Sequence, residues 1–74
     1  MDRIINVYQG AEIPTPAGVL KVNYINVANL IYCDEYEISE EGELEFLMER
    51  RLTAEEVANE VKQTDGKNHK VIFE

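Results

Sequence analysis

Residues 34–49 read DEYEISEEGELEFLME, and the way this stretch is taken decides the fold. Tyr36, Ile38, Leu44, Phe46 and Met48 fall at even positions, whereas Glu35, Glu37, Glu43, Glu45 and Glu49 fall at odd ones. Strict alternation of apolar and charged residues marks a β-strand with one dry and one wet face. Between the two runs stands Ser39-Glu40-Glu41-Gly42, in which Gly42 can supply the positive φ that a short hairpin loop with a bulge requires. The stretch is read as a β-hairpin, apolar face inward and carboxylates outward, and not as a disordered acidic tract. Asp34 breaks the alternation and is expected at a bulge or at the edge of the core. Leu47 is a smaller exception on the outer face.

The same stretch holds eight of the fifteen acidic residues and no Lys or Arg. Elsewhere seven acids meet seven bases, so the formal net charge of −8 is one local feature. Carboxylates opposed across two strands cost a few tenths to about 1 kcal/mol per pair. Two readings follow: a solvated charged edge that resists aggregation, or a surface presented to a basic partner.

The helix is read from its punctuation. Thr53 with Glu56 three residues on makes a capping box, and Leu52 before the cap with Val57 after it makes a hydrophobic staple. Ala54, Val57, Ala58 and Val61 repeat at helical spacing, and Gly66 follows as a C-terminal cap. These signals predict a helix over about 54–64. Around it, residues 3–8 and 19–24 read as strands, 9–18 as an extended Pro- and Gly-containing loop, and 26–29 as a bend, bulge or short turn. The longest strand is expected to run from Leu30 to Ile38, and a short one closes the chain at 69–73. The expectation is a single small α+β domain over 1–74: a mostly antiparallel sheet of four to five strands with one helix packed on one face, in the order β-β-β-β-α-β.

Several chemistries find no support. Cys33 stands beside Asp34 and Glu35, whose charge suppresses a thiolate, so it is read as a small apolar strand residue. His69, the only histidine, is read as a surface or strand-end residue. Aligning residues 34–45 with a calcium loop puts Tyr36, Ile38 and Ser39 where two oxygen ligands and a glycine are needed. No phosphate-binding glycine motif is present, and seven basic residues in an acidic chain make no footprint for nucleic acid. No cofactor, metal site or enzymatic activity is expected. One Cys and one His cannot form a disulfide or structural zinc staple, so a chain of this size is expected to gain stability from a homodimer or a complex. The first residues lack the flanks of a signal peptide, no segment has the ~20 apolar residues of a membrane span, and a cytoplasmic location, or host cytoplasm for a phage protein, is expected.

The functional expectation is a small acidic, non-enzymatic binding protein. Glu35, Glu37, Glu40, Glu41, Glu43, Glu45 and Glu49 would occupy a basic, nucleic-acid-binding surface of a partner protein, as a nucleic-acid mimic does. Small phage-encoded inhibitors of host nucleases or defence systems share this profile of size and acidity, without residue correspondences. The alternative is a structural or assembly module, a homo-oligomer or subunit of a larger complex, joined through strand residues and tyrosines.

Overall fold

The computed structural model describes residues 2–74. Five strands precede one helix and a sixth strand follows: β1 Arg3–Val7, β2 Glu12–Pro14, β3 Gly18–Ile25, β4 Ile31–Ile38, β5 Leu44–Leu52, α1 Ala54–Asp65 and β6 His69–Phe73. Strands β2-β3-β4-β5 form an antiparallel sheet in that order, and β1 pairs with β6 in a parallel ribbon. The α+β class and the single helix are as expected. The structure adds a short strand within the segment read as a loop, and it sets the closing strand beside β1. Pro14 is tolerated in β2 because that strand lies at the sheet edge, where a missing N–H breaks no ladder.

Helix α1 begins and ends where its sequence signals place it. Thr53 Oγ1 accepts from the Glu56 N–H, and the Glu56 carboxylate accepts from the Thr53 N–H. Gly66 closes the other end in the left-handed region at φ 74°, donating its N–H to the Lys62 carbonyl. Val57 and Val61 bring the buried stripe of α1 onto Ile13, Leu20, Ile31 and Leu52 in one core, with Ile5, Val71 and Phe73 of the ribbon closing its side. Full burial of each such side chain contributes ~1.5–3 kcal/mol. The smallest dimension of the molecule is 15 Å, which accommodates the sheet and one covering layer only.

Two turns set β3 between its neighbours β2 and β4. At the β3–β4 turn, Asn26 Oδ1 accepts from the N–H groups of Ala28 and Leu30, so the turn falls within the expected 26–29. At the β2–β3 turn, Thr15 Oγ1 accepts from Gly18 N–H and Pro16 takes the position that suits its fixed φ. Gly18 then passes so close to β4 that a Cβ there would lie 2.3 Å from the Tyr36 carbonyl oxygen and 2.9 Å from Glu37 Cα. Only glycine permits that approach.

Two ladders carry an extra residue each. Asn23 interrupts the β3–β4 pairing between Val22 and Tyr24. In the β4–β5 ladder Glu35 pairs with Met48 and Tyr36 with Phe46, which leaves Leu47 unpaired. The bulge expected at Asp34 therefore sits across the ladder at Leu47. Strand β5, nine residues long, also exceeds β4 as the longest strand.

Candidate functional site

The Leu47 bulge decides what the hairpin presents. On β4 the core phase is odd, since Ile31 and Cys33 are buried, so Glu35 and Glu37 continue on the helix side of the sheet. On β5 Leu52 fixes an even core phase that includes Arg50 and Met48, and the bulge then reverses it. Beyond Leu47, Glu45 faces the helix side opposite Glu37, while Phe46 and Leu44 face away from the helix opposite Tyr36 and Ile38.

This corrects the expected burial of the hairpin. No residue between 34 and 51 belongs to the buried core, and the apolar side of the hairpin is its uncovered side. Ile38 is 58% exposed, Phe46 57% and Leu44 44%, although all three were expected inward. Met48, also expected inward, is on the helix side but 52% exposed.

The seven predicted carboxylates divide into three groups. Glu37 and Glu45 form the centre, directly opposite each other across the ladder, and Glu43 follows at the start of the turn, where it bonds to Ser39. Glu40 and Glu41 continue it at the tip, and Glu37, Glu40, Glu41 and Glu45 line one open depression of about 400 Å³ with Ile38 and Ser39. The tip is held by Ser39, whose N–H donates to the Glu43 carbonyl at 2.7 Å and whose Oγ accepts from the Glu43 N–H at 3.2 Å; Gly42 adopts φ 83°, as the hairpin reading required. No salt bridge among the described residues reaches any of these five carboxylates.

The other two do not belong with them. Glu35 lies 3.3 Å from Arg50 Nη1, which also binds Glu60 of α1 at 2.7 Å, so its charge is answered within the molecule. The two carboxylates hold the Arg50 guanidinium pKa above its ordinary value, Glu60 most strongly. Glu49 pairs with Asp34, on the face opposite to Glu45, and cannot join the same contact.

The other candidates stand as follows. Cys33 is buried between strands, and burial, reinforced by Asp34, Glu35 and Glu60, pushes its thiol up to about 11 although Arg50 acts the other way. His69 begins β6 as the strand-end residue expected, half-buried, with its side chain only 6% exposed and its Nε2 meeting Asp65 Oδ2 at 2.8 Å. Asp65 is held below the ordinary carboxylate value chiefly by the Lys67 N–H, with His69 assisting. Among the described residues no group of three or more His, Cys, Asp or Glu side chains converges as a metal site, and no helix is long and apolar enough to cross a membrane.

Sequence reasoning named strand residues and tyrosines as contacts of an assembly module but did not gather them on one uncovered face. Tyr24 and Tyr32 stack with ring centroids 4.5 Å apart, and Tyr36 meets Phe46 edge-on at 5.9 Å. Lys21 Nζ lies 5.0 Å from the Tyr36 ring centroid. The signal was present in β4, where Ile31 and Cys33 are apolar in one phase and Tyr32, Tyr36 and Ile38 in the other; a strand apolar in both phases has two faces to cover.

Fold and site together define a small α+β protein bearing an amphipathic acidic hairpin. No family model, curated protein or solved structure matches the chain.

Proposed function

We propose that this chain is a non-enzymatic protein-binding module, an inhibitor or regulator, whose β4–β5 hairpin docks its helix-side carboxylates on a basic surface of a partner. One observation carries the reading. Glu37 and Glu45 stand directly opposed, Glu43 follows two residues on, and no lysine or arginine of the described chain neutralises them. Folding gains nothing from that arrangement, because like charges across a ladder destabilise it, whereas a cationic partner turns the same arrangement into attraction. Alternate residues on a strand are ~6.8 Å apart and neighbouring strands ~4.8 Å apart, so the carboxylates form a close two-dimensional array. Fixed rows of negative charge are also what a nucleic acid offers, and the partner that fits best is a nucleic-acid-binding groove lined with Lys and Arg, met in the cytoplasm.

The test compares wild type with a Glu37→Gln, Glu43→Gln, Glu45→Gln variant in affinity capture from a lysate. Capture of a basic nucleic-acid-binding protein should be displaced by duplex DNA and should weaken between about 0.05 and 0.3 M salt, where the screening length falls below the size of the patch. Equal capture by the variant, or capture indifferent to salt, refutes the reading. A second reading, an assembly module, is favoured by the exposed apolar face on the other side of the sheet.

A further inference from the structure

The face of the antiparallel sheet turned away from α1 is organised in rows across the strands. Towards the hairpin tip, Pro14, Val19, Tyr36 and Phe46 are successive cross-strand neighbours. Ile38 and Leu44 extend that apolar end by one more pair. The next row is Glu12, Lys21, Asp34 and Glu49, and the row beyond it is Tyr24, Tyr32 and Arg51. Three carboxylates against two cations leave this face with a net charge of −1 out of the chain's −8. A face so nearly balanced is one on which two copies of an acidic protein can meet without strong repulsion.

We infer that the outer sheet face is the interface of a homodimer in which two copies pack face to face, related by a two-fold axis that runs along the strands between β3 and β4. This rests on the second reading of the chain and not on the helix-side carboxylates of the hairpin, Glu37 and Glu45, which stay free in such a dimer. Sheets with one apolar face are stable when that face is buried against another layer, and two sheets stack ~10 Å apart.

The two-fold direction follows from the row order. An axis along the strands lays β4 of one copy over β3 of the other and β5 over β2, so at the centre Lys21 meets Asp34 of the second copy twice, while at the rim, where water screens the charges, Glu49 meets Glu12 twice. It also sets Val19 against Tyr36, Phe46 against Pro14, and the Tyr24–Tyr32 stack against its own counterpart. An axis across the strands and through the charged row would set Lys21 over Lys21. Four strands at ~4.8 Å and four rows at ~6.8 Å give a face of roughly 500 Å² per copy, or about 1,000 Å² buried in all. That is the lower end of what specific association needs, so the dimer is concentration-dependent.

Sedimentation equilibrium of the full chain between about 10 µM and 1 mM tests this. Wild type should pass from monomer to dimer over that range, and added salt should strengthen the dimer by screening the two net charges. Salt thus acts in the opposite sense to its action on the hairpin's partner. Phe46→Glu should weaken the dimer about tenfold or more. Lys21→Glu should weaken it too, and Lys21→Glu with Asp34→Lys should restore it, with urea denaturation confirming that each variant is folded. The Glu37→Gln, Glu43→Gln, Glu45→Gln variant should dimerise at least as well as wild type. A wild type monomeric at every concentration, or folded Phe46→Glu that dimerises normally, overturns the proposal without touching the hairpin reading.

Discussion

Replacing Arg50 by Met should cost far more than a surface ion pair is worth, and the structure shows why. The guanidinium lies 2.7 Å from Glu60 and 3.3 Å from Glu35, and the three side chains are only 27%, 18% and 16% exposed. At an effective dielectric near 20, each attraction is worth ~4 kcal/mol at 4 Å, but desolvation and the repulsion between the two carboxylates offset most of it. Removing the cation leaves those carboxylates facing one another in a largely covered spot. A fully buried pair broken in this way costs ~3–5 kcal/mol; with this degree of exposure, about 2–3 kcal/mol is expected. For a domain of this size, that lowers the melting temperature by roughly 10–20 °C. The control is Arg50→Met with Glu35→Gln and Glu60→Gln, which removes all three charges and should return to within about 1 kcal/mol of wild type. Urea denaturation followed by far-UV circular dichroism measures both. The account fails if Arg50→Met costs under about 0.5 kcal/mol, the range of an exposed pair, or if the triple variant is as unstable as the single one.

Gly18→Ala should destabilise by ~1–3 kcal/mol or more, since backbone atoms of β4 must retreat from the new methyl group; an unchanged urea midpoint would refute the close approach. Cys33 gives a pH dependence of known sign. Its folded-state value is raised, so its contribution is intact below 9.0 and is lost as pH rises towards about 11, while the unfolded thiol ionises first. Urea midpoints measured across that interval should fall less steeply for Cys33→Ala, and iodoacetamide should label wild type only as it unfolds.

The elements legible in the sequence are those set by local rules. Thr53, Glu56 and Gly66 specify the ends of α1 through hydrogen bonds within a few residues, and Gly42 marks the hairpin turn through its φ. The facing of the hairpin was not legible, because it depends on one unpaired residue. Leu47 continues an apolar run, Phe46-Leu47-Met48, in which nothing local shows which residue drops out of the ladder. The ion pair of Glu35 was not legible for a related reason: its partner Arg50 lies fifteen residues away, and the second anchor of that arginine, Glu60, is on the helix. The parallel β1–β6 pairing joins the two ends of the chain and has no local signal at all.

The hairpin's mechanical support ends before its charge does. Strand β3 begins at Gly18 opposite Glu37, so beyond that pair only β4 and β5 continue. The last outside brace is the Ile38 N–H donating to the Ala17 carbonyl. A two-stranded ribbon is marginal in water by itself, and this one also carries the Glu37–Glu45 opposition at its base and Glu40, Glu41 and Glu43 at its tip. Hence the element proposed for contact consists of a firm platform, Glu37 and Glu45 on a sheet three strands wide, and a compliant end whose order costs free energy in the absence of a cationic partner. Binding of the proposed cationic partner would then draw on two sources: neutralisation of carboxylates already in place, and relief of repulsion that the free protein bears. The second source disappears when the tip carboxylates become amides. Glutamine at Glu40, Glu41 and Glu43 should therefore stabilise the free fold while weakening the complex, a pairing of effects that a merely solubilising edge does not produce.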